Sequence, residues 1–280
     1  MEEIGLSPEI IVRDLKTRFI GQKVIYYPTI NSTMEAAKKE ALWGAPAGTV
    51  VIAEEQTAGK GRLQRFWLSP KGGLAISIIL RPNLEFLPNM IMLASLAVAN
   101  SIRVVTSLKP QIKWPNDVLI NEKKVCGILI ENDLRQNSLR HTVIGIGINV
   151  NMNVSDYPEI ASLATSLSDQ TGKVISRVDL VRQLLTEMDA LYQYLPQNEI
   201  IFEHWKNNLI TLGQNVEAHM GDHIYRGMAE SVYPDGSLLL RQKDRSYIKI
   251  IAGDVTLNSN QAAIPLTRDS PPESPSALSG

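Results

Sequence analysis

The chain has 280 residues, which is enough for one large domain or for a large domain and a small one. Hydrophobic residues make up 44% of the sequence, and 28 basic residues balance 29 acidic ones to give a net charge of −1. This composition is typical of a globular protein, and it excludes both a strongly basic nucleic-acid binder and a highly charged disordered chain.

The sequence also limits the cellular setting. Cys126 is the only cysteine, which excludes an internal disulfide framework and a multi-cysteine metal site. Charged residues interrupt the N-terminal twenty residues, unlike the apolar core of a signal peptide, and no uncharged apolar run reaches the roughly 18 residues of a membrane span. We therefore expect a cytoplasmic protein that contacts no membrane.

The N-terminal part is predicted to alternate helices and strands. Apolar spacing from Ser7 to Phe19 indicates a short N-terminal helix within residues 1–21, and KVIYYPTI indicates a first strand. Ser32 or Thr33 can cap the alanine-rich helix that follows. The β-rich run TVVIAEEQ then leads directly into a basic loop.

The segments after the loop predict a mixed sheet with flanking helices. GLAISIILRP and HTVIGIGINVNM are apolar β runs, and QIKWPNDVLINEKKVCGILIEN contains two strand-like runs joined by a turn. A buried helix is predicted after Pro88, and Ser176 with Asp179 begins a long helix that closes the main domain. Short β runs from about residue 212 predict a small barrel, and the Pro- and Ser-rich tail predicts disorder over 263–280.

The basic loop TAGKGRLQRFW, residues 57–67, combines two glycines with three cations. It is not a P-loop, because no Ser or Thr follows its Gly-Lys pair, and the later GIGINV segment lacks the third glycine of a dinucleotide fingerprint. Taken alone, such a loop is most often a solvated hairpin connection. Its amides and cations could also close over phosphate or carboxylate oxygens, with Trp67 stacking on a base.

A second stretch, QIKWPNDVLINEKKVCGILIE, favours function. It places Lys113 beside a Trp-Pro-Asn-Asp turn and Lys124 just before an apolar strand that contains Gly127. A glycine inside a strand often marks the close approach of a ligand or of another backbone. Cys126 lies in the same strand, where we expect a buried, unreactive thiol.

Together these stretches resemble the biotin protein ligases, from about Lys23 into the C-terminal β region. Four motifs occur in the family's order: GKGRLQRFWLSP, KWPND, KVCGILIE and GIGINVN. Two positions depart from the family pattern, with Lys60 in place of the usual arginine and Gln64 in place of the usual glycine. Lys60 keeps the charge but loses bidentate geometry, and Gln64 reduces the freedom of the loop backbone.

The resemblance implies an α+β fold. It predicts a class II synthetase-like biotin/lipoate ligase catalytic domain over residues 22–210, with a mixed sheet and flanking helices. It also predicts a small C-terminal SH3-like β-barrel over residues 211–262.

The resemblance also implies a two-step reaction that consumes biotin and ATP. Biotin's carboxylate attacks the α-phosphate, pyrophosphate leaves, and a lysine of a biotin carboxyl carrier protein or domain then takes the biotinyl group. Mg²⁺ would shield the remaining phosphates.

Site residues follow from the same resemblance. The implied catalytic cations are Lys124, Arg62 and Lys113, with Lys124 placed at the biotin carboxylate and α-phosphate. The implied biotin contacts are Ser32, Thr33, Gln56, Gly59, Arg62, Lys124 and Gly127. The implied ATP and adenylate contacts are Lys60, Arg62, Arg65, Trp67, Asn116, Asp117 and Asn149. No metal ligand is assigned. From spacing alone, Ser32 and Thr33 would be helix caps and Trp67 a core aromatic residue.

Two alternatives stay open at this stage. A lipoate protein ligase shares the fold and the adenylation chemistry, although KGR with KWPND favours biotin. A biotin sensor that represses transcription would carry a winged helix before the ligase domain, for which the roughly twenty residues before the first strand leave no room. We therefore expect no DNA binding, while exposed sheet edges would allow a homodimer.

Overall fold

A computed structural model describes residues 5–136, 138–251 and 253–257. The predicted disorder of residues 263–280, and the end of the predicted barrel, lie outside these residues.

Within the described residues, seven strands form the main sheet in the order β1-β2-β3-β7-β6-β5-β4. Their bounds are β1 Val24–Tyr27, β2 Val50–Ala53, β3 Leu74–Leu80, β4 Gln111–Lys113, β5 Asp117–Ile120, β6 Lys123–Arg135 and β7 Ser138–Ile148. Strands β1 and β2 are parallel, whereas the other neighbouring pairs are antiparallel. The sheet is therefore mixed, as the sequence predicts.

Helices cover both faces of this sheet. Their bounds are α1 Pro8–Val12, α2 Thr33–Leu42, α3 Asn89–Thr106, α4 Leu167–Thr171, α5 Arg177–Gln193 and α6 Asn198–Asn207. Side chains alternate between the faces of a strand, so in β2 Val51 packs with α2, whereas Val50 and Ile52 join the larger core that contains α3 and α5.

Helix α3 is the only helix among the described residues that is long and apolar enough to cross a membrane, judged by length and composition. It packs against α5, α6 and the main sheet, and 67% of it is buried inside the protein. Burial on most of its surface explains why its sequence is apolar nearly all round.

The C-terminal part forms a second, antiparallel sheet, which agrees with the predicted small barrel. In the described residues it has five strands in the order β11-β10-β9-β8-β12. Their bounds are β8 Asn215–Met220, β9 His223–Val232, β10 Leu238–Arg241, β11 Tyr247–Ile250 and β12 Asp254–Leu257. Its buried residues Val216, Leu238 and Leu240 belong to the same apolar cluster as the main sheet, so the two sheets share one core.

The secondary structure differs from the prediction in several details. The N-terminal helix ends at Val12, and Asp189 of α5 accepts hydrogen bonds from the backbone N–H groups of residues 18–20, which holds them outside a helix. Helices α4 and α6 and strand β12 were not predicted, although Ile201 and Trp205 of α6 are buried at helical spacing. The KWPND region contributes three strands rather than two, because the Pro115–Asn116 turn separates β4 from β5.

Candidate active site

A cavity of about 930 Å³ lies between the basic loop, strands β4–β6 and strand β12. Most of the predicted site residues line it: Ser32, Thr33, Gln56, Lys60, Arg62, Arg65, Trp67, Lys113, Asn116, Asp117, Lys124 and Gly127. Gly145 and Gly147 of the GIGINVN motif line it as well, so the fold gathers all four sequence motifs, widely separated along the chain, around one space.

Two glycines form the floor of this cavity beneath Trp67. Gly127 of β6 pairs with Gly147 of β7 across the sheet. A Cβ atom would lie 2.9 Å from the indole at Gly127 and 2.3 Å from the indole Nε1 at Gly147. Only glycine at both positions lets the ring approach the sheet backbone this closely. Trp67 thus lies half-buried on the cavity floor, where it packs on the sheet, and its predicted contact with the nucleotide stays a prediction.

Lysine side chains approach one another at the β4–β6 side of the cavity. The Lys124 ammonium lies 2.7 Å from the Asp117 carboxylate and 5.4 Å from the centroid of the Trp67 ring. Burial lowers the pKa of Lys113, even though the Asp117 carboxylate acts in the opposite direction, and the Lys124 charge lowers this pKa further. An anion entering here would relieve the repulsion between the two ammonium groups.

Every cation of the basic loop is held by an acid or an amide. Arg62 Nη1 donates to the Asn116 side-chain oxygen at 2.9 Å and lies 3.7 Å from the Asp254 carboxylate. Arg65 lies 2.5 Å from the other oxygen of Asp254, and Lys60 donates to Glu35 of α2 at 2.7 Å. The loop cations therefore already have counter-ions in the protein alone.

The opposite end of the cavity carries neutral polar groups. The Gln56 side-chain oxygen accepts hydrogen bonds from the Thr33 backbone N–H at 2.8 Å and from the Thr33 hydroxyl at 3.1 Å. Ser32 occupies the N-cap position of α2 but makes no capping hydrogen bond, and its buried hydroxyl has no hydrogen-bond partner among the described residues. A buried unpaired hydroxyl is costly unless a ligand satisfies it.

Two predicted contacts lie outside the cavity lining. Gly59 stands behind Trp67, where a Cβ atom would lie 2.3 Å from the Trp67 carbonyl oxygen. Asn149 is buried, and its side-chain amide donates to the Thr165 carbonyl at 3.0 Å. In this structure both residues support the walls of the cavity, and their predicted ligand contacts stay predictions.

The structure adds residues that the motifs did not single out. Met34 lines the cavity beside Gly145, where a Cβ atom would lie 2.5 Å from its sulfur. Asp254 reaches the cavity from the C-terminal sheet. In the sequence, Gly145 and Gly147 of the GIGINVN motif indicated close packing against that strand. Nothing near Asp254 in the sequence indicates that its side chain reaches the cavity.

Cys126 takes no part in the site. It is buried in the core beside the cavity, and desolvation raises the pKa of its thiol far above the usual range. This agrees with the expectation of a buried, unreactive thiol.

No group of three or more His, Cys, Asp or Glu residues that could hold a metal ion occurs in the described ranges. Within those ranges, the side chains do not form a protein-held metal centre.

Comparison with known proteins adds independent findings. Residues 26–149 match the model of the biotin/lipoate A/B protein ligase family. The chain is 37% identical over 258 residues to the bifunctional ligase/repressor BirA of Bacillus subtilis, an alignment that covers 90% of this chain and 79% of that protein. It is 30% identical to the biotin–[acetyl-CoA-carboxylase] ligase of Paracoccus denitrificans over 74% of this chain and 91% of the relative.

Solved structures of biotin protein ligases are similar to this chain in fold. A biotin protein ligase from Aquifex aeolicus in complex with biotin and ATP superposes with a TM-score of 0.73 at 30% identity. The superposition covers 85% of this chain and 99% of that one.

Proposed function

The chain belongs to the biotin protein ligases of the biotin/lipoate A/B protein ligase family, and we propose that it joins biotin to an acceptor lysine in two ATP-dependent steps. One observation carries this proposal. Lys124, Arg62 and Lys113 line one end of a single cavity, and the unpaired Ser32 hydroxyl lies in its wall near Gln56. This arrangement suits a ligand with an anionic end and a neutral polar end, as biotin has in its carboxylate and ureido groups.

The first step joins two anions, so the site must supply positive charge. Biotin's carboxylate oxygen attacks the α-phosphorus of ATP, the bond to the bridging oxygen breaks, and pyrophosphate leaves. Lys124 and Arg62 would stabilise the charge that develops on the α-phosphate oxygens. Because Lys124 is paired with Asp117 and Arg62 with Asn116, both cations are held in place before the substrates bind.

The second step transfers the biotinyl group. The acceptor amine attacks the carbonyl carbon of the mixed anhydride, an amide bond forms, the bond to the phosphate oxygen breaks, and AMP leaves as the amine loses its proton. Water would hydrolyse the anhydride, so a loop that covers the cavity protects it. Residues 57–67 lie at the cavity and are suited to this role.

Magnesium enters this proposal only with ATP. The described side chains do not form a metal centre, and Mg²⁺ binds readily to substrate phosphates with few protein ligands. We treat Mg·ATP as the substrate and assign no step to a protein-held metal.

Biotin protein ligases act on biotin carboxyl carrier proteins or domains, and we propose such a domain as the acceptor here. A cytoplasmic location remains part of this proposal. A homodimer likewise stays a prediction.

The proposal is tested by transfer of labelled biotin to a purified biotin carboxyl carrier domain with Mg·ATP, with lipoate as a competing substrate. We expect Lys124→Ala to lower the rate of adenylate formation by about 100-fold or more, because it removes a cation at the developing charge. Lys123→Ala is the matched control, since the neighbouring Lys123 is exposed and lies outside the cavity lining.

Three results would contradict the proposal. Transfer of lipoate alone would identify a lipoate ligase, and transfer of neither acid would leave a binding protein. Equal rates for the two lysine variants would remove Lys124 from the chemistry.

A further inference from the structure

Three side chains form a chain of hydrogen bonds from the main sheet to the neutral polar end of the cavity. The Ser77 hydroxyl donates to the Thr33 hydroxyl oxygen at 2.8 Å, and the Thr33 hydroxyl donates to the Gln56 side-chain oxygen at 3.1 Å. Thr33 and Gln56 line the cavity, whereas Ser77 stands behind them, outside its lining. Ser77 is thus linked to the cavity through Thr33.

Ser77 is a polar residue in an otherwise apolar strand. It lies in β3, whose seven residues are all buried, and Ser77 itself is 0% exposed. Its register partner Val51 in β2 packs with α2, so Ser77 points to the same face of the sheet, beneath Thr33 at the start of that helix. A buried hydroxyl costs free energy unless it is hydrogen-bonded, and alanine would fill this place without that cost. The hydrogen bond to Thr33 therefore gives the Ser77 hydroxyl a role.

The chain of hydrogen bonds fixes which groups at the cavity wall are donors and which are acceptors. The single hydrogen of the Thr33 hydroxyl goes to Gln56 and one lone pair accepts from Ser77, so the other lone pair is left as an acceptor. The Gln56 oxygen also accepts from the Thr33 backbone N–H at 2.8 Å, which fills both of its lone pairs. The Gln56 amide N–H groups have no acceptor among the described residues. The wall therefore presents an acceptor next to a donor.

We propose that Ser77 is a positioning residue that sets this arrangement, so that the wall selects a ligand with adjacent N–H and C=O groups, such as a cyclic urea. A ureido N–H would donate to the Thr33 hydroxyl oxygen, and the ureido carbonyl would accept from the Gln56 amide. Without Ser77, the Thr33 hydroxyl loses the donor that polarises it and is free to turn its hydrogen towards the ligand in place of a lone pair. The inference rests on the proposed function, because that function makes biotin the ligand.

Calorimetric titration of the full chain with biotin, in the absence of ATP, tests this role of Ser77. We expect Ser77→Ala to raise the Kd for biotin about fivefold, as loss of one hydrogen bond in the chain would. Ser77→Cys, which keeps a weak donor at similar volume, should have an intermediate Kd. The kcat of adenylate formation at saturating biotin should match the wild-type value in both variants, because the reacting carboxylate lies at the Lys124 end of the cavity.

Ser101→Ala is the matched control. Ser101 is also fully buried, and its hydroxyl donates to the Ala97 carbonyl within α3 at 2.6 Å, outside the cavity lining. Its loss should leave the Kd for biotin unchanged. A second comparison uses Thr33→Val, which removes the link between Ser77 and Gln56. In that background Ser77→Ala should have no further effect on the Kd, because residues that act through one another are not additive.

The role of Ser77 is excluded by any of three results. The first is a wild-type Kd in Ser77→Ala. The second is an equal rise in Kd when Thr33→Val is already present, which would mean that Ser77 does not act through Thr33. The third is a kcat that falls as much as the affinity, which would indicate a distorted cavity. A wild-type protein that binds no biotin would instead contradict the proposed function, so the two failures are distinct.

Discussion

At the scale of single residues, the hydrogen bonding of the Ser32 hydroxyl distinguishes ligand binding from helix capping. The residue sits at the N-cap of α2, yet its hydroxyl makes no capping bond and is buried without a partner among the described residues. At the start of α5, in contrast, the Ser176 hydroxyl accepts the Asp179 N–H at 3.2 Å. The two serines thus occupy equivalent helix positions, but only the Ser176 hydroxyl makes a capping hydrogen bond.

This contrast predicts opposite effects for the two alanine variants. Ser32→Ala should raise the KM for biotin about tenfold, through loss of a hydrogen bond to the ligand, and leave the free energy of unfolding unchanged. Ser176→Ala should lower the free energy of unfolding by about 1 kcal/mol and leave the KM unchanged, because only a cap is lost. Adenylation kinetics and urea unfolding of both proteins provide the measurement. A destabilised Ser32→Ala protein with normal KM would assign Ser32 to the helix instead.

At the scale of elements, strands β6 and β7 provide a flat surface for an aromatic ring. Gly127 and Gly147 face each other across the two strands, and Trp67 of the loop lies on both. The loop, the ring and the two glycines therefore form one packing unit. Lys124 belongs to it as well, since its ammonium faces the indole at a distance suited to a cation–π interaction.

Gly147→Ala tests this packing unit. The new methyl group would overlap the indole, so Trp67 must move off the floor of the cavity. We expect biotinyl-adenylate synthesis to fall at least about tenfold and the tryptophan emission to shift to longer wavelength as the ring becomes exposed. Gly5→Ala is the control, because a Cβ atom at Gly5 has nothing within 4 Å. Wild-type synthesis and emission in Gly147→Ala would show that the ring position is not required.

At the scale of the whole molecule, Asp189 joins the N-terminal segment to α5. Burial by itself would raise the pKa of this carboxyl, but hydrogen bonds from the backbone N–H groups of Arg18, Ile20 and Phe19 lower it below the ordinary value. Because the folded-state pKa lies below that of the unfolded chain, this interaction stabilises the fold above about pH 4. The stabilisation is lost as the pH falls through the folded-state pKa.

Asp189→Asn should therefore lower the free energy of unfolding by about 2 kcal/mol at neutral pH, since the amide carries no charge and has one acceptor oxygen where the carboxylate uses two. The difference from the wild-type protein should shrink as the pH falls below about 4. Urea unfolding between neutral and acid pH measures both effects. Asp222→Asn in the exposed turn between β8 and β9 is the control. A difference that stays constant with pH would show that the carboxylate charge is not the cause.

The two sheets form one structural unit, because they share an apolar core and line the same cavity. Trp114 of the KWPND motif is buried, its indole N–H donates to the Gly236 carbonyl at 2.8 Å, and its backbone N–H donates to the Thr211 hydroxyl at 2.9 Å. The motif that carries Lys113 is thereby fixed to the C-terminal part of the chain. The ion pairs of Asp254 with Arg62 and Arg65 are a second link of the same kind.

The sequence by itself determined most of the strands, the long helices α3 and α5 and the family, because periodicity, capping residues and contiguous motifs are local signals. Most of the residues that it assigned to the site also line the cavity. Only the tertiary structure decided that Asn149 supports a wall, that Ser32 leaves its hydroxyl unpaired and that Asp254 meets Arg62 and Arg65. Each of these features depends on how segments that are distant in sequence pack against one another. No local sequence pattern specifies that packing.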